Sequence, residues 1–141
     1  MKGKNELMPY EREVFYYETD KMGIVHHSNY VKWLEEARNN FMVQIGYPFD
    51  KVENENLMVP VLDVYCKYIK AFRFGDSFSI RLIPKGFNGL RFSMDYEIRN
   101  KSNGEIYATG SSSHCFVNND MKLVNLRKTN LNIYETFKKY F

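Results

Sequence analysis

An alternation of apolar and polar residues between about positions 57 and 118 constrains the fold more than any other feature of the chain. Phe78, Ile80 and Leu82, for example, alternate with two serines and an arginine. A period of two places successive side chains on opposite faces of a strand with one buried face. The interruptions contain glycine, as hairpin loops do, and lie at 75–76, 86–89 and 100–104. The pattern predicts antiparallel strands near 57–70, 76–86, 90–99 and 105–118.

One segment, residues 28–45, carries a helical pattern instead. Its apolar residues recur every three or four positions, at Tyr30, Trp33, Leu34, Ala37, Phe41 and Ile45. Gly46 and Pro48 end the pattern, and eighteen residues make a helix about 27 Å long. Weaker signals predict a strand at 10–17 and a short helix at Leu131–Tyr140. One long helix and a run of strands predict an α+β fold, with an antiparallel sheet wrapped around the helix.

Length and charge exclude several classes of protein. The 141 residues predict a single domain, 1–141, and 44% hydrophobic residues are typical of a globular chain. The net charge of +3 is scattered, so we expect no nucleic-acid partner. Residues 1–9 do not resemble a signal peptide, and no apolar run of 18 residues predicts a transmembrane segment. Cys66 and Cys115 show no CxxC spacing, so we expect a soluble cytoplasmic protein with buried, reduced thiols.

Common catalytic motifs are missing from the sequence. It contains no GxSxG elbow, phosphate-binding loop, GxGxxG, HExxH or EF-hand pattern. His26 and His27 are adjacent, so their side chains are not expected to share a metal ion. His114 and Cys115 are also neighbours on a predicted strand and would point to opposite faces. We therefore expect neither a metal nor a cofactor.

The segment just before the predicted long helix combines a carboxylate, a glycine turn and two imidazoles. Exposed N–H groups at a helix N-terminus, with the positive end of the helix dipole, stabilise negative charge such as a developing oxyanion. Asp20 could attack a carbonyl or position a water molecule. This arrangement suits acyl transfer from a thioester. On the residues alone, a turn former is the favoured interpretation of Asp20, and His27 could equally be a polar residue near a helix cap.

The segment 14–38 resembles the signature of the hotdog-fold acyl-CoA thioesterases. The resemblance is to the 4-hydroxybenzoyl-CoA thioesterase family and its relatives associated with the bacterial Tol-Pal cluster. The matching residues are Tyr17, Thr19, Asp20, Gly23, Ile24, Val25, His27, Asn29, Tyr30, Glu35, Ala37 and Arg38. Two departures are Glu18, where the family commonly has aspartate, and the absence of a Leu-Pro pair from 123–127.

The resemblance implies a hotdog fold and hydrolysis of an acyl-CoA thioester, with coenzyme A as part of the substrate. It implies a homodimer, or a tetramer formed by two dimers, with active sites at the dimer interface. Asp20 matches the catalytic carboxylate, and His27 matches the position whose backbone N–H polarises the thioester carbonyl. The predicted substrate-binding residues are Gly23, Val25, His26, Asn29 and Tyr30.

Several alternatives stay open at this stage. A carboxylate close to helix N–H groups is a poor proton acceptor, which favours nucleophilic attack by Asp20 through a mixed anhydride. His27 is the better base if water attacks directly. Glu35 and Arg38 are expected to form a weak pair on the helix surface. The rival functions are an acyl-carrier-protein thioesterase and a non-catalytic acyl-CoA-binding dimer.

Overall fold

The computed structural model describes residues 6–141, and its main feature is one five-stranded antiparallel sheet. The strands are β1 (Tyr10–Glu13), β2 (Val61–Tyr68), β3 (Ser77–Phe87), β4 (Arg91–Asn100) and β5 (Ile106–Cys115). They lie in the order β1-β3-β4-β5-β2, so β1 and β2 are the edges. The four predicted strands after residue 57 are confirmed, although β2 and β5 are shorter than predicted.

The long helix α1 (Ser28–Gln44) packs on one face of this sheet, as predicted. Trp33, Leu34 and Phe41 on its apolar stripe are fully or almost fully buried. Gly110 of β5 permits this close packing, because a Cβ atom there would lie 2.9 Å from the Tyr65 carbonyl oxygen and 3.1 Å from Leu34 Cδ1. The α+β architecture is therefore confirmed.

Shorter helices close the ends of the layer. They are α2 (Phe49–Asn54), which the sequence analysis did not predict, α3 (Leu126–Thr129) and the predicted α4 (Leu131–Tyr140). Phe137 of α4 packs against Phe92 and Phe116 of the core, with ring centroids 5.1 and 5.3 Å away. None of the helices within residues 6–141 is long and apolar enough to cross a membrane. Residues 1–5, which belong to the segment that does not resemble a signal peptide, lie outside the described residues.

Three predictions need correction. The predicted strand 10–17 ends at Glu13, and the chain turns through a 3₁₀ helix at Tyr16–Glu18, because the Glu18 carboxylate accepts a hydrogen bond from the Phe15 N–H at 2.8 Å. Arg38 is not a surface residue but is buried and donates to the Tyr96 hydroxyl at 3.2 Å. Cys115 is buried as predicted, whereas Cys66, on the edge strand β2, is only half-buried.

Candidate active site

The loop between the 3₁₀ helix and α1 carries Asp20 on a tight turn. The Gly23 N–H donates to the Asp20 carbonyl at 3.0 Å, and the Asp20 N–H donates to the Ile24 carbonyl at 2.9 Å. Gly23 has a φ of +78°, a conformation that glycine adopts at little cost. One carboxylate oxygen of Asp20 accepts from the Met22 N–H at 2.8 Å. The other accepts no hydrogen bond within the described chain, so it is available to a substrate or water.

Glu18 anchors both ends of this loop. Its buried carboxylate accepts from Arg12 at 2.7 and 3.0 Å and from the Trp33 indole N–H at 2.8 Å. Burial by itself would raise the pKa of Glu18, but the hydrogen bonds from Arg12, Phe15 and Trp33 outweigh it and lower the pKa. The Glu18 carbonyl accepts from the His26 N–H at 2.9 Å. A charged network on one side of Glu18 therefore holds the loop that bears Asp20.

The N-terminus of α1 offers an unused backbone donor. The Ser28 N–H donates to Nδ1 of His26 at 3.2 Å, and the Asn29 N–H donates to the His26 carbonyl at 3.0 Å. The N–H of His27, in contrast, finds no acceptor among residues 6–141. It lies at the positive end of the dipole of a 17-residue helix. Such a donor can stabilise negative charge on a carbonyl oxygen.

A cavity of about 320 Å³ brings these groups together. Four of the predicted site residues line it: Asp20, Val25, His27 and Tyr30. Burial raises the pKa of Tyr30 to about 12, so its hydroxyl stays protonated at neutral pH. An aspartate, a tyrosine and the residue just before α1 thus line one volume large enough for an acyl group.

The other three predicted residues lie outside the lining of this cavity and support its walls. Asn29 is buried and donates through Nδ2 to the Glu18 carbonyl at 2.9 Å. The exposed His26 ring bonds to the Ser28 hydroxyl at 2.8 Å and stacks on His27 with centroids 4.2 Å apart. Gly23, as described above, shapes the Asp20 turn.

Tyr68 and Lys70 also line this cavity, and the sequence analysis missed Tyr68. The Tyr68 hydroxyl donates to the His27 carbonyl at 3.4 Å, and its ring lies 4.8 Å from that of Tyr30. Lys70, at the rim, forms an ion pair with Glu105 at 2.6 Å. Tyr68 is the last residue of the edge strand β2 and Lys70 lies two positions after it. The alternation pattern does not indicate which end of α1 these side chains face. Within the part of the chain described, no group of three His, Cys, Asp or Glu could hold a metal ion.

Comparison with known proteins identifies the class to which this fold and site belong. A protein of Aquifex aeolicus, provisionally described as an esterase, is 36% identical over 124 residues, covering 88% of this chain and 94% of its own. A Bacillus subtilis protein, provisionally described as an acyl-CoA thioesterase, is 33% identical over 119 residues, covering 84% and 86%. The solved structure of a DHNA-CoA thioesterase from Staphylococcus aureus superimposes with a TM-score of 0.88 at 29% identity, covering 93% and 88%.

The fold and these relatives therefore define a thioester hydrolase with the hotdog fold, as the resemblance implied. Residues 14–131 match the profile of the Thioesterase-like superfamily. The chain belongs to that superfamily. Because the match is to the wider group, the narrower resemblance to 4-hydroxybenzoyl-CoA and Tol-Pal-associated thioesterases stays a prediction.

Proposed function

We propose that this protein hydrolyses an acyl-CoA thioester to a free acid and coenzyme A. The observation that carries the proposal is the shared cavity of Asp20 and His27, one with a free carboxylate oxygen and the other with a free backbone N–H. The Bacillus subtilis and Staphylococcus aureus relatives, whose descriptions specify CoA thioesters, support the same substrate class. A thioester suits this site because its thiolate leaves without strong acid catalysis.

In the proposed mechanism, the thioester carbonyl oxygen accepts a hydrogen bond from the His27 N–H, which polarises the carbon. The free Asp20 oxygen then bonds to that carbon, the C–S bond breaks and coenzyme A leaves as a thiolate. Water adds to the resulting anhydride, releases the acid and restores the Asp20 carboxylate, and one of its protons neutralises the thiolate. Alternatively, Asp20 or the His27 imidazole takes a proton from a water molecule that attacks directly.

The first test is turnover by the wild type and by Asp20→Asn, measured as thiol release from short, long and aromatic acyl-CoAs. We expect the variant to fold normally and to lose about 10²–10⁴ in kcat, the range for a positioned catalytic group. Asp120→Asn, at an exposed turn, is the matched control and should keep full activity. A fully active Asp20→Asn variant would refute the assignment. Turnover only on carrier-protein thioesters, or tight acyl-CoA binding without turnover, would favour the alternative functions.

We further propose that the protein forms a homodimer through the edge strand β2, either alone or within a tetramer. Val61, Leu62, Tyr65 and other large side chains of this strand are exposed in the single chain. Antiparallel pairing of two copies centred on Tyr65 places Asp63 of one copy opposite Lys67 of the other. Cross-strand pairs of opposite charge stabilise such an alignment. We also propose a cytoplasmic location for this dimer, as the sequence analysis expected.

A further inference from the structure

A second cavity, of about 160 Å³, lies beside the C-terminal half of α1. Its walls include apolar side chains such as Val61, Phe92 and Met94, and its polar lining includes Arg38 and His114. The thioesterase mechanism proposed above uses neither polar residue. A volume of this size holds a group about as large as benzene.

Arg38 is a buried cation without a buried anion. The residue is 8% exposed, and its Nη1 donates to the Tyr96 hydroxyl at 3.2 Å. No carboxylate of residues 6–141 lies within 4.0 Å of the guanidinium, and its other N–H groups have no acceptor there. Even Glu35, an exposed residue that also lines the cavity, is beyond that distance. No fully buried side-chain N or O atom of residues 6–141 lacks a hydrogen-bond partner, so the unpaired N–H groups of Arg38 are solvent-accessible. Because Arg38 lines the cavity, these donors are positioned to bind an anion that enters it.

A chain of hydrogen bonds runs behind Arg38. A guanidinium only donates, so the Tyr96 hydroxyl accepts from Arg38. The Tyr96 hydroxyl is hydrogen-bonded to the Ser112 hydroxyl at 2.5 Å, and Ser112 is hydrogen-bonded to Nε2 of His114 at 2.8 Å. Burial and the nearby Arg38 charge lower the pKa of His114 to about 4, so His114 is neutral at pH 7. Arg38 therefore supplies the only charge in this chain of four side chains, and that charge is positive.

The proposed dimer places this cavity near the reaction centre. Within one chain, Arg38 follows His27 by eleven residues along α1, a rise of about 16 Å, which is too far for a short acyl group. Pairing of β2 with its copy around Tyr65 instead brings Val61, in the wall of the Arg38 cavity, beside the partner's Ile69. Ile69 lines the cavity that contains Asp20. Paired strands are only about 4.8 Å apart, so the two cavities adjoin across the interface.

We propose that Arg38 binds the terminal carboxylate of the acyl group, so that the preferred substrates are CoA thioesters of short dicarboxylic acids. The inference rests on the proposed thioesterase function and on the dimer. A guanidinium binds a carboxylate through two parallel hydrogen bonds, and Arg38 has the unused donors to form them. The apolar walls around Phe92 and Met94 accommodate the methylene groups of a four- or five-carbon chain.

The test compares glutaryl-CoA with pentanoyl-CoA, which has the same number of acyl carbons but no terminal charge. Binding is measured by calorimetry in the Asp20→Asn background, where hydrolysis of the thioester is expected to be about 10²–10⁴-fold slower. We expect glutaryl-CoA to bind at least tenfold more tightly than pentanoyl-CoA. Adding Arg38→Met should weaken the binding of glutaryl-CoA by about 30-fold or more, as loss of one partner of a buried charge pair does. The affinity for pentanoyl-CoA should change by less than about threefold. Arg81→Met, at a side chain 68% exposed, is the control and should change neither affinity.

Two further measurements separate the possible failures. Equal binding of the two thioesters, or equal loss of both in Arg38→Met, would overturn the carboxylate site even if pentanoyl-CoA is hydrolysed. If the wild type binds glutaryl-CoA through Arg38 but does not hydrolyse it, the proposed thioesterase activity is refuted and the proposed carboxylate-binding site stands. Size-exclusion chromatography should show that the Arg38→Met variant is still a dimer. If the variant is a monomer, Arg38 stabilises the dimer interface, and the proposal is overturned. If Arg38→Met fails to fold, Arg38→Lys, which keeps the charge, must retain part of the preference.

Discussion

The buried His114 predicts a specific sensitivity of this protein to acid. The side chain is 1% exposed, stacks on Phe92 with centroids 4.8 Å apart and bonds to Ser112. Burial first, and the positive charge of Arg38 second, lower the pKa of His114 from 6.5 to about 4. The unfolded chain therefore binds a proton at this residue at a higher pH than the folded chain does. Its contribution to stability is complete above about pH 6.5 and is lost as the pH falls toward 4.

The size of the effect follows from that difference in pKa. At 1.36 kcal/mol for each pH unit, the interval from 6.5 to about 4 corresponds to about 3 kcal/mol of the free energy of unfolding. This is a large part of the 5–15 kcal/mol that stabilises a typical domain. The protein should thus lose a substantial part of its stability between about pH 6.5 and pH 4 through this one side chain.

The assay is urea unfolding of the wild type and of His114→Phe at fixed protein concentration, from pH 7.5 to pH 4. Phenylalanine keeps the contact with Phe92 and cannot be protonated. The wild type should lose about 3 kcal/mol more than the variant over this range. Arg38→Met should show an intermediate loss, because it removes the second cause of the low pKa. Parallel stability curves for the wild type and His114→Phe would refute the reasoning.

Two further predictions concern the loop and the dimer. Glu18→Gln should lower the free energy of unfolding by about 2 kcal/mol, because Arg12 loses its buried partner but keeps its ion pair with Glu36 at 2.8 Å. It should also lower kcat more than it changes KM. Chemical unfolding and steady-state kinetics measure the two effects, and unchanged kinetics would show that Glu18 does not position Asp20. Asp63→Lys should weaken the dimer and Lys67→Asp should do the same, whereas the double variant should restore it, as ultracentrifugation can show. If the double variant dimerises no more tightly than the single variants, the pairing of the two β2 strands is not centred on Tyr65.

The regular elements followed from local pattern. The spacing of apolar residues predicted α1 to within one residue, and the alternation predicted β3 and β4 closely. These patterns are informative because each element repeats its buried positions at a fixed interval along the chain. The signature around Asp20 and His27 similarly lies within one continuous segment.

The turn at Tyr16–Glu18 shows where local pattern fails. Its aromatic residues favour a strand, but the Glu18 carboxylate accepts from the Phe15 N–H and from the indole N–H of Trp33, fifteen positions later. Together these hydrogen bonds hold the turn. Tertiary contacts override a propensity that amounts to a fraction of a kcal/mol for each residue.

The sequence by itself determined the fold class, the long helix, and the segment that supplies the carboxylate and the helix N-terminus. Only the tertiary structure decided which polar groups are buried and whether they have partners. Arg38 looked like a surface residue, yet it meets Tyr96, 58 positions away, and lines a cavity with His114. The free energy of a buried charge depends on everything around it in three dimensions, whereas the period of a helix or strand depends only on neighbours along the chain.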